Sequence, residues 1–584
     1  MNIEPEILNF INCDIKEYSN FLIPDYETKY GEKYPTQIKY LYQYFKEFSC
    51  THVYKEGLYY SNSFIYDYAS FHIYRSSAET KYCSRFIYLN LGEIIIKGIE
   101  DFKRQLIFDN EGLTGGLRNE HFLGLNIIKP TYVLNHKFGL SYLKPYDIPM
   151  GDNYKRYYNS LIERKVNVLG KELTIKSSIL NGQDELGLCS TSALYSLTNW
   201  LAKTLDTKNF HPGELTKFIG KNFSNNGFRT LPSTGLSTGQ IMVFLQHLKL
   251  TFDKFEVKQI TSVETNVNEL LINIQDNILF IKEIVRAYNF SCGFPVLLGL
   301  NRSFSDETKI GGLHNSVCVG LREETPKKYS NGSLAQNIDR LYVCDDNIGS
   351  QTSVNFLDPG NYSIEKLKVI NEHIDFNYKT TKGKSYLNKK QALELTENQF
   401  AIENAIEIFK TQILNSQDAS SKNFKPYQMF STVDEEVICI DCVDYLLIPI
   451  PRTITVTITT IKNIFLEVNA LYATDTVLYK SNDLKSYYLS LSNDFLSESQ
   501  KSRFIQLLLH KYIWRVSIMD IIGNDEKLQP IVDFIFDSNE QQESPNFLSA
   551  CIVFNKTKFD FLIKKDTSGL KTLIEKNKTR VLEP

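Results

Sequence analysis

The sequence of 584 residues has no apolar run approaching the roughly 18 residues that a membrane helix needs. Its longest candidates, such as YLLIPI at 445–450, have the length of a strand. The first residues, MNIEPEILNFINCDIKEYSN, carry acids early and lack a basic stretch followed by an apolar one, so no secretory signal is expected there. No charge of one sign dominates: 65 Lys and Arg stand against 68 Asp and Glu, a net charge of −3. Nothing in that balance asks for nucleic acid or an anionic membrane as partner. The ten cysteines are scattered singly, several inside apolar runs such as SVCVGL. That pattern excludes a disulfide framework and suits reduced thiols in a cytoplasmic protein. Cys439 and Cys442 in CIDC have half the spacing of a zinc site. No second pair lies near, so they read as strand cysteines and no metal is expected. GLTGG at 112–116 has no P-loop lysine after it and reads as a turn. Internal repeats and low-complexity tracts are lacking as well.

What is present is an ordinary globular composition, 42% apolar and 23% charged. The length calls for about three or four domains. Residues 1–165 read as an N-terminal α/β unit, with helical spacing in PTQIKYLYQYFKEFS and LGEIIIKGIEDFKRQLIF and strand-like alternation in THVYKEGLYYSNSFIYDYASFHIYR. His121 and His136 there read as structural histidines. Residues 166–365 open with a β-like run, RKVNVLGKELTIKSSIL, followed by four helical runs and then the strand runs FPVLLGLNRSF, HNSVCVGLREE and RLYVCDDNIGSQTSV. Helices first and a sheet afterwards is an α+β order. Residues 366–424 read as a polar connector with one packing helix, and 425–584 as a β-rich α+β unit. Trp200 and Trp514 read as core.

One short stretch carries chemistry. In GQDELGLCSTSALYSL, residues 182–197, Cys189 stands at the start of a predicted helix. The helix dipole and free N–H groups there favour a thiolate. Gly187 allows a sharp entry and the small residues after the cysteine leave the backbone open. A lone cysteine is commonly just a small buried residue, but Gln183 lies six positions earlier and can join the Cys189 N–H in an oxyanion hole. His314 heads the strand HNSVCVGL after Gly311 and Gly312, where a general base would have access. Thirty residues on, LYVCDDNIG ends in two acids, one of which can fix the tautomer of His314. Strand alternation lets only one of them face the ring.

Gln183, Cys189 at a helix start, GGLHNSVCVG and a strand ending in DDNIG follow one another in an order that resembles the papain-like cysteine peptidases and their C39-like bacterial relatives. The resemblance covers the central unit alone. It implies a papain-like fold there, with Gln183 as oxyanion donor, Cys189 as nucleophile, His314 as general base and Asp346 as orienter, Asp345 being the alternative. CSTSAL departs from the CGSCWAF run of papain itself, and EETPKKYSNGSLAQNID lengthens the interval between histidine and acid.

The expectation is therefore a thiol hydrolase, a peptidase acting on a specific protein or peptide, with the product of a neighbouring gene as a candidate, without metal or organic cofactor. Flanking units this large suggest recognition or gating of that substrate. An acyltransferase or amidase of the same fold, or an idle papain-like scaffold, is the alternative.

Overall fold

Runs rich in Tyr, Phe, Val and Ile form the strands, and amphipathic runs between them form the helices. The computed structural model describes residues 4–31, 34–69, 82–92, 94, 96–108, 116–130, 138–146, 153–182, 189–223, 236–258, 267–304, 312–325, 329–356, 429–433, 436–465, 468, 471–522, 527–542, 544, 546–565 and 570–583. The chain is mixed α+β, built on several antiparallel sheets.

The first sheet runs in chain order through β1 (Glu6–Asn9), β2 (His52–Tyr59), β3 (Cys83–Leu89), β4 (Phe122–Ile128) and β5 (Phe138–Leu143). The Tyr-rich run after β2 does not continue as a strand. Asn62–Asp67 is a helix whose N-cap, Ser61, accepts a hydrogen bond from the Phe64 N–H at 3.3 Å, and this local cap overrides the alternation. β6 (Tyr154–Tyr157) leaves this sheet, and β7 (Ile162–Val168) and β8 (Lys171–Ser177) form a hairpin. Leu169 and Gly170 turn it with φ of 48° and 87°, the left-handed pair that a tight hairpin requires. β9 (Leu180–Asn181) returns to β5.

The second sheet is the centre of the molecule. Its strands are β10 (Leu250–Glu256), β11 (Val296–Phe304), β12 (Gly312–Glu324), β14 (Ile338–Asp345), β15 (Gly349–Phe356), β16 (Met429–Val433) and β17 (Glu436–Pro451), while β13 (Gly332–Ser333) branches off between β12 and β14. From β11 the pairing passes through β12, β14, β15, β16 and β17 and returns to β11, closing an antiparallel ring. Closure leaves these strands no free edge. β10 pairs with the outer half of β17, and β6 with the far end of β12.

The third sheet runs β18 (Ala473–Lys480), β19 (Tyr512–Ile522), β20 (Lys527–Asp537), β21 (Leu548–Val553), with β13 and β22 (Val581–Leu582) in parallel at its two edges. Sheet membership thus crosses the boundaries expected near 165, 365 and 425. β6, from the expected N-terminal unit, and β16 and β17, from the expected C-terminal one, all belong to the central sheet. The expected connector, 366–424, and its helix lie outside the described residues.

The helix Cys189–Thr204 packs on this centre. Leu194, Leu197, Trp200 and Leu201 recur at helical spacing and are buried in one core with Leu297, Val317 and Tyr342 of the ring and Trp514 and Phe534 of the third sheet. Full burial of such side chains contributes about 1.5–3 kcal/mol each. The small residues near its start let it approach β9 closely. Ser192 donates to the Asn181 carbonyl at 2.9 Å and Ser196 to that of Ile179 at 2.5 Å.

Candidate active site

Cys189 is the first residue of that helix and is half-buried, whereas the other nine cysteines are buried. Burial pushes the Cys13, Cys50 and Cys318 thiols up to about 12, which makes them poor nucleophiles at neutral pH. His314 lies two residues into β12 and is 5% exposed. Its Nε2 is 3.2 Å from Asp345 Oδ2, and the Cys189 side chain lies close enough to the same ring to raise its proton affinity. The structure therefore brings together the thiol, the imidazole and an acid from three separate stretches of sequence. Gln183 and Gly187 lie outside the described residues, as does His136.

The acid that bonds the ring is Asp345. Asp346, expected as the orienter, has its nearest carboxylate oxygen 3.7 Å from Nε2, too far for a hydrogen bond. The reason is positional. Asp345 is the last residue of β14, and both its oxygens are engaged. Oδ1 accepts the Asn347 N–H at 3.0 Å, while Oδ2 accepts from His314 and, at 2.7 Å, from Arg302 Nη2. Asp346 begins the turn to β15, and its carbonyl accepts from Gln37 Nε2 at 3.3 Å. The helix Thr36–Glu47 thus braces the turn that carries the acids, although the N-terminal stretch shows no catalytic pattern in sequence. Tyr40 of the same helix donates to the Ser350 carbonyl, and its ring lies where a side chain at Gly349 would be: a Cβ there would come within 2.1 Å of it.

Arg302 completes a buried line of charge. It sits on β11, is 1% exposed, and holds Asp441 of β17 with both Nε (2.7 Å) and Nη2 (2.9 Å). Burial opposes ionisation of Asp345, but Arg302 and His314 outweigh it and hold that carboxyl well below the usual carboxylate range. For His314, burial and the Arg302 charge push the imidazole down. Asp345 prevails, with a smaller contribution from the Cys189 side chain, and the ring is raised to about 10. The ring is therefore protonated at neutral pH. The Asn347 amide nitrogen stands 3.3 Å from Nδ1, and a protonated ring calls for the amide oxygen there instead.

A second line of hydrogen bonds ties the two neighbours of the reactive pair. Asn315, next to His314, donates to the Ser190 hydroxyl, next to Cys189, at 2.7 Å. Tyr445 of β17 donates to Asn315 Oδ1 at 2.8 Å. The ring of Tyr445 crosses β11 at Gly299, where a Cβ would meet it at 2.0 Å, so only glycine leaves the path open. The register agrees: Gly299 pairs with Tyr445 on one side and Asn315 on the other.

His314, Asp345 and Asp346 also form the cluster of metal-ligand type found among the described residues. The fit to a cation is poor, because the Arg302 guanidinium already supplies positive charge to Asp345 at 2.7 Å. Sequence reasoning missed Arg302, Asp441, Asn315 and Tyr445. The first two had a signal: a lone charge inside each of the apolar runs VLLGLNRSF and VICIDCV marks a buried pair. The CIDC cysteines are both buried, and the residue between them that reaches the site is Asp441. No family model matches the chain, and no curated protein or solved structure matches it.

Proposed function

We propose that the chain is a cysteine hydrolase that cleaves a peptide bond in a specific protein or peptide, with a papain-like, C39-like central unit. The observation that carries this reading is the His314 ring, bonded to Asp345 and close to the half-buried Cys189 thiol. The order of the three in the chain and the packing of the Cys189 helix on the sheet that bears His314 support the papain-like assignment.

The attacking form of the pair is the Cys189 thiolate with the proton held on His314. The sulfur attacks the substrate carbonyl carbon, an S–C bond forms and the carbonyl π electrons move to oxygen. The first N–H groups of the Cys189 helix have no intrahelical partner and are free to donate to that oxyanion; Gln183, outside the described residues, is the second donor that the resemblance implies. His314 gives its proton to the amine nitrogen as the C–N bond breaks, leaving a thioester. Water then attacks with His314 taking its proton, the S–C bond breaks and the acid departs. Asp345 keeps the ring in place throughout, and Arg302 with Asp441 keeps Asp345 in place. Ten cysteines, all free, suit the reducing cytoplasm.

Alkylation with iodoacetamide at pH 6 tests the reading. Cys189 is expected to react first among the ten cysteines and faster than a free thiol, and the advantage is expected to vanish in His314→Ala. Uniform slow labelling of the folded protein would leave the fold as a scaffold with an idle thiol.

A further inference from the structure

Far from the thiol, four separate stretches converge on an open cavity of about 730 Å³. This lies within the roughly 300–1,000 Å³ of small-molecule sites. It is reached from the C-terminal end of the Cys189 helix, about 22 Å along that helix from the sulfur at 1.5 Å per residue. Each stretch delivers a cation. Lys208 comes from the loop after the helix, Lys249 from the turn before β10, Arg452 from the turn after β17 and Lys511 from the start of β19, while Asp206 is the one carboxylate in the lining. Lys208 is paired with Glu214 at 2.6 Å, but Lys249, Arg452 and Lys511 have no ion pair among the described residues.

The backbone fixes one of these cations at the cavity. Lys249 follows the helix Thr238–His247 with φ of 60°, the left-handed position that ends a helix and is normally given to glycine. A lysine held there at a conformational cost places its side chain at the cavity. Behind the cations, Leu250, Phe210 and Tyr512 make an apolar floor.

We propose that this cavity binds a small polyanion carrying a chain of adjacent phosphate groups, the phosphates taken by Lys249, Arg452 and Lys511 and any organic part set against the floor. The proposal is independent of the thiol chemistry. Calorimetric titration of the full chain at physiological salt with inorganic tripolyphosphate, ATP and AMP tests it. Tripolyphosphate is expected to bind, and AMP at least tenfold more weakly. ATP equal to tripolyphosphate would assign the site to the phosphate chain alone, whereas tighter ATP would assign the floor to the nucleoside, and both outcomes support the site. Lys249→Gly is expected to weaken binding about tenfold, the worth of a charge-assisted hydrogen bond, while the melting temperature holds or rises, because glycine suits that backbone. The double change R452Q/K511Q is expected to abolish binding in a protein that still unfolds cooperatively. Absence of tripolyphosphate binding, unchanged affinity in both variants, or equal binding of a glutamate peptide of the same charge would overturn it.

Discussion

His314 holds its proton because three carboxylates, those of Asp345, Asp346 and Asp441, share a dry space with one guanidinium. Asp345 and Asp441 outnumber Arg302, and the deficit of positive charge is made up on the ring. The sign of the pH dependence follows. A histidine raised from 6.5 to about 10 binds its proton more tightly when folded, so its contribution is complete below 6.5 and is lost as pH climbs toward 10. Asp345, lowered from 3.8, works oppositely: its contribution is present above that value and is lost on acidification. Urea midpoints measured from pH 3 to 10 should therefore fall at both ends. In His314→Gln the alkaline fall should flatten while the acid fall persists in reduced form. An alkaline slope identical in the two proteins would show that another group releases the proton. At this scale the sequence singles out two side chains that the structure brings into one cluster, Cys189 and His314, and is silent about the groups that support them. Cys189 and His314 announce themselves by helix start and glycine-flanked strand. The choice between Asp345 and Asp346 depends on where β14 ends, and one residue of strand boundary reverses which acid points inward.

The strand β17 sets the geometry at the next scale. It carries Asp441, which reaches Asp345 through Arg302, and Tyr445, which reaches Ser190 through Asn315. The register shifts between Gly299 and Leu300, so β17 carries one extra residue there and its two polar side chains serve separate rows. Gly299→Ala tests the upper row. Its methyl would overlap the Tyr445 ring, and such overpacking costs about 1–3 kcal/mol. Tyr445→Phe removes one hydrogen bond, worth about 1 kcal/mol, without adding volume. Chemical denaturation should rank the alanine variant as the less stable, and both should slow alkylation of Cys189, because the tie between Ser190 and Asn315 sets the gap between sulfur and ring. Full-rate labelling in both variants would confine Tyr445 to packing. The strand itself was legible, since EEVICIDCVDYLLIPI reads as β from its composition. Its pairing with β10 and β11 was not, because pairing across more than a hundred residues leaves no local trace. The opposite error occurred after β2, where tyrosine and phenylalanine suggested a strand and the Ser61 cap made a helix.

For the whole molecule, the consequence is that the expected units are not independent. The ring closes only when β16 joins β15 across the intervening stretch and β17 joins β11, a strand more than a hundred residues earlier, and the third sheet shares one core with the Cys189 helix. Mixed α+β content and the helices-then-strands order were readable from periodicity. The boundaries were not, since a polar stretch in sequence does not reveal whether the chain beyond it starts a new core or returns to the old one. A chain ending at Phe356 makes the difference measurable. It would lose β16 and β17, open the edges of β11 and β15, and leave Arg302 buried without Asp441, and breaking a buried pair costs about 3–5 kcal/mol. With ordinary domains stable by about 5–15 kcal/mol, that loss together with the vanished apolar contacts of Leu446, Leu447 and Ile448 should prevent folding of the ring. Residues 1–356 expressed alone should show unprotected β11 and β12 amides in hydrogen exchange, and no preference for Cys189 in alkylation. Co-expression with 425–584 should restore both, because Asp441 and Tyr445 then return to their places. Protected amides and selective labelling in the short chain by itself would mean that β17 decorates the site and does not build it.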